Sequence, residues 1–192
     1  MMRILGIDPG LRSTGWGVIS IIDGRMQHVA NGAIKPSPRL DDGARLQLIF
    51  HGLCDVVSLH QPDCAAIEQI FVAKSAGSAL RLGMARGVGV LACAVNTLVV
   101  SEIAARAVKK AIVGSGGAEK TQIQAMVQRL LAVEPYNGDA ADALAIAIAA
   151  SNDAGKAAPS ALKLQADSET SGLSAAIAAA MARDDVGKGS PE

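Results

Sequence analysis

Four carboxylates interrupt segments that are otherwise apolar, and this placement limits the folds open to the chain more than any other feature. Asp8 closes the run Ile4-Leu5-Gly6-Ile7, and Glu68 breaks Cys64-Ala65-Ala66-Ile67-Glu68-Gln69-Ile70-Phe71. Asp139 and Asp142 open the Ala-rich stretch Ala140-Ala141-Asp142-Ala143-Leu144-Ala145. An acid inside a buried element is costly unless a partner neutralises it, and no obvious cation lies beside any of the four in sequence. A shared divalent metal site accounts for all of them at once. The fold must then gather three distant segments at one place, and the chemistry that uses such a site is phosphoryl transfer.

The 192 residues suit one domain with a tail and can bury a real core. Aromatic residues make up only 2% of the chain, so Ala, Val, Leu and Ile must build that core. No apolar run is expected to approach the roughly 20 residues that span a bilayer. The N-terminus reads as a strand ended by an acid, not as a signal peptide. Cys54, Cys64 and Cys93 lack metal-site spacing and are odd in number, which fits free thiols in a reducing cytoplasm. The formal net charge is 0, yet the charge is unevenly spread: residues 1–150 carry 14 Lys and Arg against 12 Asp and Glu, and residues 151–192 carry 4 against 6. Neutralising the four acids would leave 14 against 8 in the first part (12 less 4), a modestly basic body that permits phosphate binding.

The first third reads as three strands, at 3–9, 14–20 and 25–34, with the Asp23-Gly24 pair marking a hairpin between the last two. Leu46, Ile49, Phe50, Leu53, Val56 and Val57 recur at helical spacing, which predicts a helix over 40–60 that stops before Pro62. A strand carrying Glu68 follows. A helix over 76–95 contains Gly83, Gly87 and Gly89, and glycine there implies close packing against another backbone. A short strand is expected at 98–100, then helices at 102–108, 119–132 and 139–151. This order predicts an α/β fold with a sheet of mixed direction. Residues 1–151 form the expected domain and 152–192 an Ala/Gly/Ser-rich tail, with a linker over 152–170 and a short helix after Ser171 on which Leu173, Ile177 and Met181 share a face.

Each acid also has a local structural reading. Asp8 precedes Pro9-Gly10 and could serve a turn. Glu68 could be paired or face a sheet edge. Asp139 and Asp142 match a helix N-cap with an acid at the third position, although the same spacing puts both carboxylates on one helix face. Their conjunction favours the metal site. Magnesium takes hard oxygen ligands, and two such ions can activate a water and stabilise a leaving 3′ oxygen. No Gly-x-Ser-x-Gly motif is present, and His28, His51 and His60 are poorly placed for a triad. Gly114-Ser115-Gly116-Gly117-Ala118-Glu119-Lys120-Thr121 imitates a phosphate loop but has Glu119 where that motif needs glycine. The stretch still delivers Lys120 to the start of a helix, where a phosphate could sit.

Gly6-Ile7-Asp8-Pro9-Gly10 with Thr14-Gly15, Ala66-Ile67-Glu68-Gln69-Ile70-Phe71, Ala85-Arg86-Gly87, Ala118-Glu119-Lys120 and Asp139-Ala140-Ala141-Asp142-Ala143-Leu144-Ala145 together resemble the RuvC family of crossover (Holliday) junction endodeoxyribonucleases. The resemblance runs from about residue 3 to residue 150 and leaves the tail outside it. It implies a ribonuclease-H-like fold, a five-stranded mixed sheet flanked by α-helices, acting as a homodimer. It also implies a magnesium-dependent nuclease, for which manganese could substitute, that makes paired symmetric nicks in four-way DNA junctions. Carried over by position, the metal-binding acids are Asp8, Glu68, Asp139 and Asp142. Phe71 matches an aromatic that stacks on unpaired bases, and Lys109 and Lys120 match basic residues that assist catalysis or hold the scissile backbone. An ATP-driven branch-migration complex is the implied partner. The rival readings are another nuclease or transposase-like enzyme of this fold, a sugar-kinase or actin-like ATPase, and a catalytically idle junction-binding module.

Overall fold

The computed structural model describes residues 1–69 and 75–154. Phe71, the expected helix after Ser171 and most of the predicted tail lie outside the described residues. Five strands form one sheet: β1 (Met2–Asp8), β2 (Thr14–Ile22), β3 (Arg25–Ile34), β4 (Cys64–Gln69) and β5 (Val100–Ala104). Their order is β3-β2-β1-β4-β5. The first three are antiparallel, whereas β4 runs parallel to β1 and β5 parallel to β4. Helices α1 (Asp42–His60) and α2 (Ala76–Val95) cover one face. The other face carries α3 (Ala105–Val113), α4 (Lys120–Leu131) and α5 (Gly138–Ala154). The mixed α/β sheet expected from the sequence is the one observed.

Strand periodicity decides which side chains meet which helices. Leu5, Ile7 and Ile67 point to the α1/α2 side, where they join Ile49, Leu53 and Val57 in one core. Ile4 and Ala66 point the other way and pack with Leu144, Ile148 and Val127. Burial of each such aliphatic side chain stabilises the fold by about 1.5–3 kcal/mol. The same alternation turns Asp8 and Glu68 to the α5 side. The β2–β3 connection is the tight hairpin that Asp23-Gly24 predicts, with both residues at positive φ (50° and 75°).

Two glycines let α5 lie directly on the sheet. A Cβ on Gly6 would collide with the carbonyl oxygen of Ala143, and one on Gly15 with the carbonyl of Asp139. The helix is Ala-rich, so its backbone rests close to β1 and β2. Its first turn thereby reaches the end of β1.

Two expectations need correction. The strand expected at 98–100 lies at Val100–Ala104, and the helix expected at 102–108 is α3, Ala105–Val113. Parallel pairing with β4, from Ala65↔Val100 to Gln69↔Ala104, draws Ser101 and Glu102 into the sheet although neither is apolar. Ser101 Oγ donates to Ala65 O (3.3 Å), and Glu102 takes an ion pair from Arg86 on α2 (2.5 Å). The second correction concerns α2, which is long and apolar enough to pass as a membrane span by length and composition. It carries Arg81 and Arg86 and packs against α1, β4 and β5. Of its four glycines (Gly77, Gly83, Gly87 and Gly89) only Gly89 packs on the chain's own core, where a Cβ would come 3.2 Å from Ile67. Gly83 and Gly87 face open space.

Candidate active site

The acids converge at the carboxyl ends of β1 and β4. Ile7 pairs with Ile67 across the parallel ladder, so Asp8 and Glu68 leave neighbouring strands side by side on the α5 face. Asp142, one helical turn beyond Asp139, completes the wall of a cavity of about 270 Å³ that Asp8, Glu68, Lys109 and Lys120 also line. Lys120 opens α4. Gly138 lies against this helix start, since a Cβ there would stand 3.8 Å from Lys120 Cε. The Lys120 ammonium is ion-paired to Asp142. Lys109 enters from α3, inside a helix that the sequence had ended five residues too early, at 108.

The local alternatives for the acids are taken by other residues. In the turn after β1, Thr14 Oγ1 donates to Gly10 O (2.9 Å) and accepts from Gly10 N (3.3 Å), so turn closure does not depend on Asp8. The capping role at α5 falls to Asn137, whose Oδ1 accepts from Ala140 N at 2.8 Å. Asp139 therefore sits in the first turn and not at the cap. Its Oδ2 accepts from Ser13 Oγ at 2.6 Å and from Asn137 Nδ2 at 3.4 Å. Ser13 and Asn137 were missed in the sequence: a serine in a turn and an asparagine before a helix are commonplace, and the Ser13–Asp139 contact spans 126 positions.

Crowding of like charge is visible in the protonation equilibria. Burial, then repulsion from Asp142, Glu68 and Asp139, pushes the Asp8 carboxyl up to about 7, against a smaller opposing pull from Lys120. Glu68 is raised by burial and by Asp142, while Lys120 and Lys109 pull it down. Burial likewise raises Asp142, opposed by its bond to Lys120. Lys120 is raised in turn, chiefly by that same bond. In this cluster the acids outnumber the two lysines. Among the described residues no three acids already converge on a common coordination point, and the Lys120 ammonium engages Asp142. The donors are all carboxylate oxygens, hard ligands of the kind magnesium and manganese accept. The residues fit such an ion.

A five-stranded mixed sheet with acids at the ends of β1 and β4 and on a helix across them defines the ribonuclease-H-like class of nucleases. A family model for the crossover junction endodeoxyribonuclease RuvC matches residues 4–150. The RuvC protein of Caulobacter sp. (strain K31) is 48% identical over 152 residues, covering 79% of this chain and 90% of that protein. The Thermus thermophilus RuvC structure superposes with a TM-score of 0.74 at 28% identity, covering 81% of this chain and 96% of its own. The same Thermus thermophilus protein in complex with a Holliday junction substrate gives 0.73 at 28% identity, covering 78% and 92%. The chain belongs to the RuvC family of crossover junction endodeoxyribonucleases.

Proposed function

We propose that this protein is a structure-selective endonuclease that resolves four-way (Holliday) DNA junctions by paired symmetric nicks during recombination and repair. The observation that carries the reading is the gathering of Asp8, Glu68 and Asp142, with Lys109 and Lys120, in one cavity; Asp139 does not line it but, in the first turn of α5, is near enough to repel the Asp8 carboxylate. The four acids would hold magnesium, two ions per site, with manganese as a substitute. Bound there, such ions supply Lewis-acid activation of a water and stabilisation of the leaving 3′ oxygen.

The chain's own side chains do the rest. Asp8 is central, since its carboxyl feels all three other acids, and it must lose its proton for the site to load. Lys120 neutralises Asp142 in the free protein. Were a cation to neutralise Asp142 instead, the Lys120 ammonium would be free to hold a phosphate oxygen of the scissile strand. Lys109, which also lines the cavity, holds the adjoining backbone. Ser13 fixes the Asp139 carboxylate through its hydroxyl. Phe71, two residues beyond the end of β4, is assigned to stacking on unpaired bases near the crossover, a contact that typically contributes about 1–3 kcal/mol.

Two symmetric nicks require two copies, and α2 offers a surface for a homodimer. Leu80, Gly83, Gly87 and Leu91 follow one another at helical spacing on its exposed side, with Leu80 66% and Leu91 53% exposed. Both glycines leave room for a second backbone. A Gly83→Cys variant should crosslink between copies; a folded dimer without that crosslink would count against this face. An ATP-driven branch-migration complex is assigned as partner on the family resemblance. A cytoplasmic location is assigned on the free state of Cys54, Cys64 and Cys93.

The direct test incubates the purified chain with a labelled mobile four-way junction and a linear duplex, with and without magnesium. Paired ligatable nicks in the junction alone, abolished in Asp8→Asn while binding persists, are expected. Binding without cleavage under any divalent metal identifies an idle junction-binding module. Equal cutting of the duplex identifies a different ribonuclease-H-like nuclease.

A further inference from the structure

Of the aromatic residues described, Trp16 packs against His60 with ring centroids 5.5 Å apart, and Phe50 lies against the α1/α2 core. Tyr136 does neither. It is 67% exposed, in the loop between α4 and α5, three residues before Asp139. The Lys35 ammonium lies 5.4 Å from its ring centroid. Lys35 is itself exposed and, among the described residues, makes no ion pair, Glu134 of the same loop included.

The position of this pair is held by a specific network. The backbone N–H of Tyr136 donates to Asn31 Oδ1 on β3 at 2.7 Å, which orients the Asn31 amide. Asn31 Nδ2 must then donate to His28 Nε2, 2.9 Å away, and a histidine that accepts is neutral. Burial lowers the His28 pKa, in keeping with that role. Asn31 pairs with Gly17, whose added Cβ would meet Leu144, so Asn31 lies on the α5 face. Lys35 follows four residues later, just past the end of β3. Thr14 pairs with Ile34, and Asp8 with Gly15, so Lys35 lies at the same end of the sheet as Asp8.

We propose that Lys35 and Tyr136 form a second strand-holding platform beside the active site, taking a nucleobase or deoxyribose on the free face of the Tyr136 ring and a phosphate on Lys35 Nζ. The proposal rests on the junction-nuclease reading. Lysine covers one face of the ring through a cation–π contact, and the exposed ring retains the other for stacking. Two strand spacings separate β3 from β1, about 10 Å, which places the platform about two to three nucleotides from the scissile phosphate. Lys109 and Glu68 approach the site from the β4–β5 side, and the platform lies on the β3 side. A strand held at both flanks is aligned across Asp8 instead of pivoting about it.

The test compares full-length wild type with Tyr136→Ala, Tyr136→Phe and Lys35→Ala on a four-way junction of defined sequence. Tyr136→Ala should raise both KM and the junction Kd roughly tenfold, with kcat at saturating junction unchanged. Tyr136→Phe, which keeps the ring, should behave as wild type. Lys35→Ala should reduce the slope of log K against log salt by about 0.7–0.9, the loss of one phosphate contact. All three should melt with wild type, because neither side chain is buried. Unchanged KM, Kd and salt slope beside a wild type that still cuts would overturn the platform and leave the nuclease reading intact. A wild type that neither binds nor cuts the junction overturns both.

Discussion

The two faces of the sheet are built from alternate residues of the same strands, yet they do opposite work. On the α1/α2 face, Ile7 and Ile67 are fully buried among Leu5, Ile49 and Leu53. On the α5 face, their neighbours Asp8 and Glu68 crowd like charges into a cavity shared with Asp142. Both faces are stabilised by hydrophobic burial, but the α5 face also stores, at the ends of β1 and β4, electrostatic repulsion that this burial must offset. A single-residue slip in the register of β1 or β4 would exchange the two sets. The function therefore depends on register, and the parallel β1–β4 pairing that sets it is itself held by the α1/α2 core.

Adjacent substitutions on β1 separate the two faces. Asp8→Asn should lower junction cleavage by roughly 10²–10³-fold or more while the fold and junction binding persist, as read by single-turnover cleavage beside a binding assay. Ile7→Ala, one residue earlier, should destabilise by about 2–5 kcal/mol in chemical denaturation, with activity per folded molecule near wild type. Comparable loss of activity in both, at equal stability, would break the distinction between the faces.

Asp8 also predicts an unusual stability profile for the metal-free protein. Its carboxyl is raised from 3.8 to about 7 on folding, so the folded state binds the proton more tightly than the unfolded one. That stability is fully present below about pH 4 and is lost as pH rises through about 7. At about 1.4 kcal/mol per pH unit, the effect is bounded at about 4 kcal/mol. Melting between pH 5 and 8 in the presence of a chelator should show this decline in wild type and a flatter profile in Asp8→Asn. Magnesium added at pH 8 should raise the wild-type Tm by preferential binding to the folded state and leave Asp8→Asn almost unmoved. The smallest effect is expected from Arg86→Ala on the scaffold face. A half-exposed Glu102 limits that pair to about 0–1 kcal/mol, so cleavage should change little.

Much of this was legible in the sequence because the signals were local. An acid ending or splitting an apolar run marked Asp8 and Glu68, Asp23-Gly24 marked the hairpin, and the three-residue spacing of Asp139 and Asp142 put them on one side of α5. What was not legible depended on contacts between distant segments. Glu102 read as the start of a helix and Ser101 fell outside the expected strand, because nothing nearby shows that Arg86 and Ala65 O receive them. The freedom of Asp139 from capping depends on Asn137 taking that role and on a serine 126 positions away. The glycines of α2 announced close packing, but within the single chain only Gly89 shows it, and a Cβ on Gly83 or Gly87 would meet nothing.

The central claim is that acids from β1, β4 and α5 act as one cation site. Calorimetric titration of manganese into wild type and the single variants Asp8→Asn, Glu68→Gln, Asp139→Asn and Asp142→Asn, at pH 8 and without DNA, tests it most directly. Measurable binding in wild type that is weakened in every one of the four is the predicted result. Binding unchanged in Asp139→Asn would make that residue only the partner of Ser13, and binding unchanged in all four would contradict the shared site.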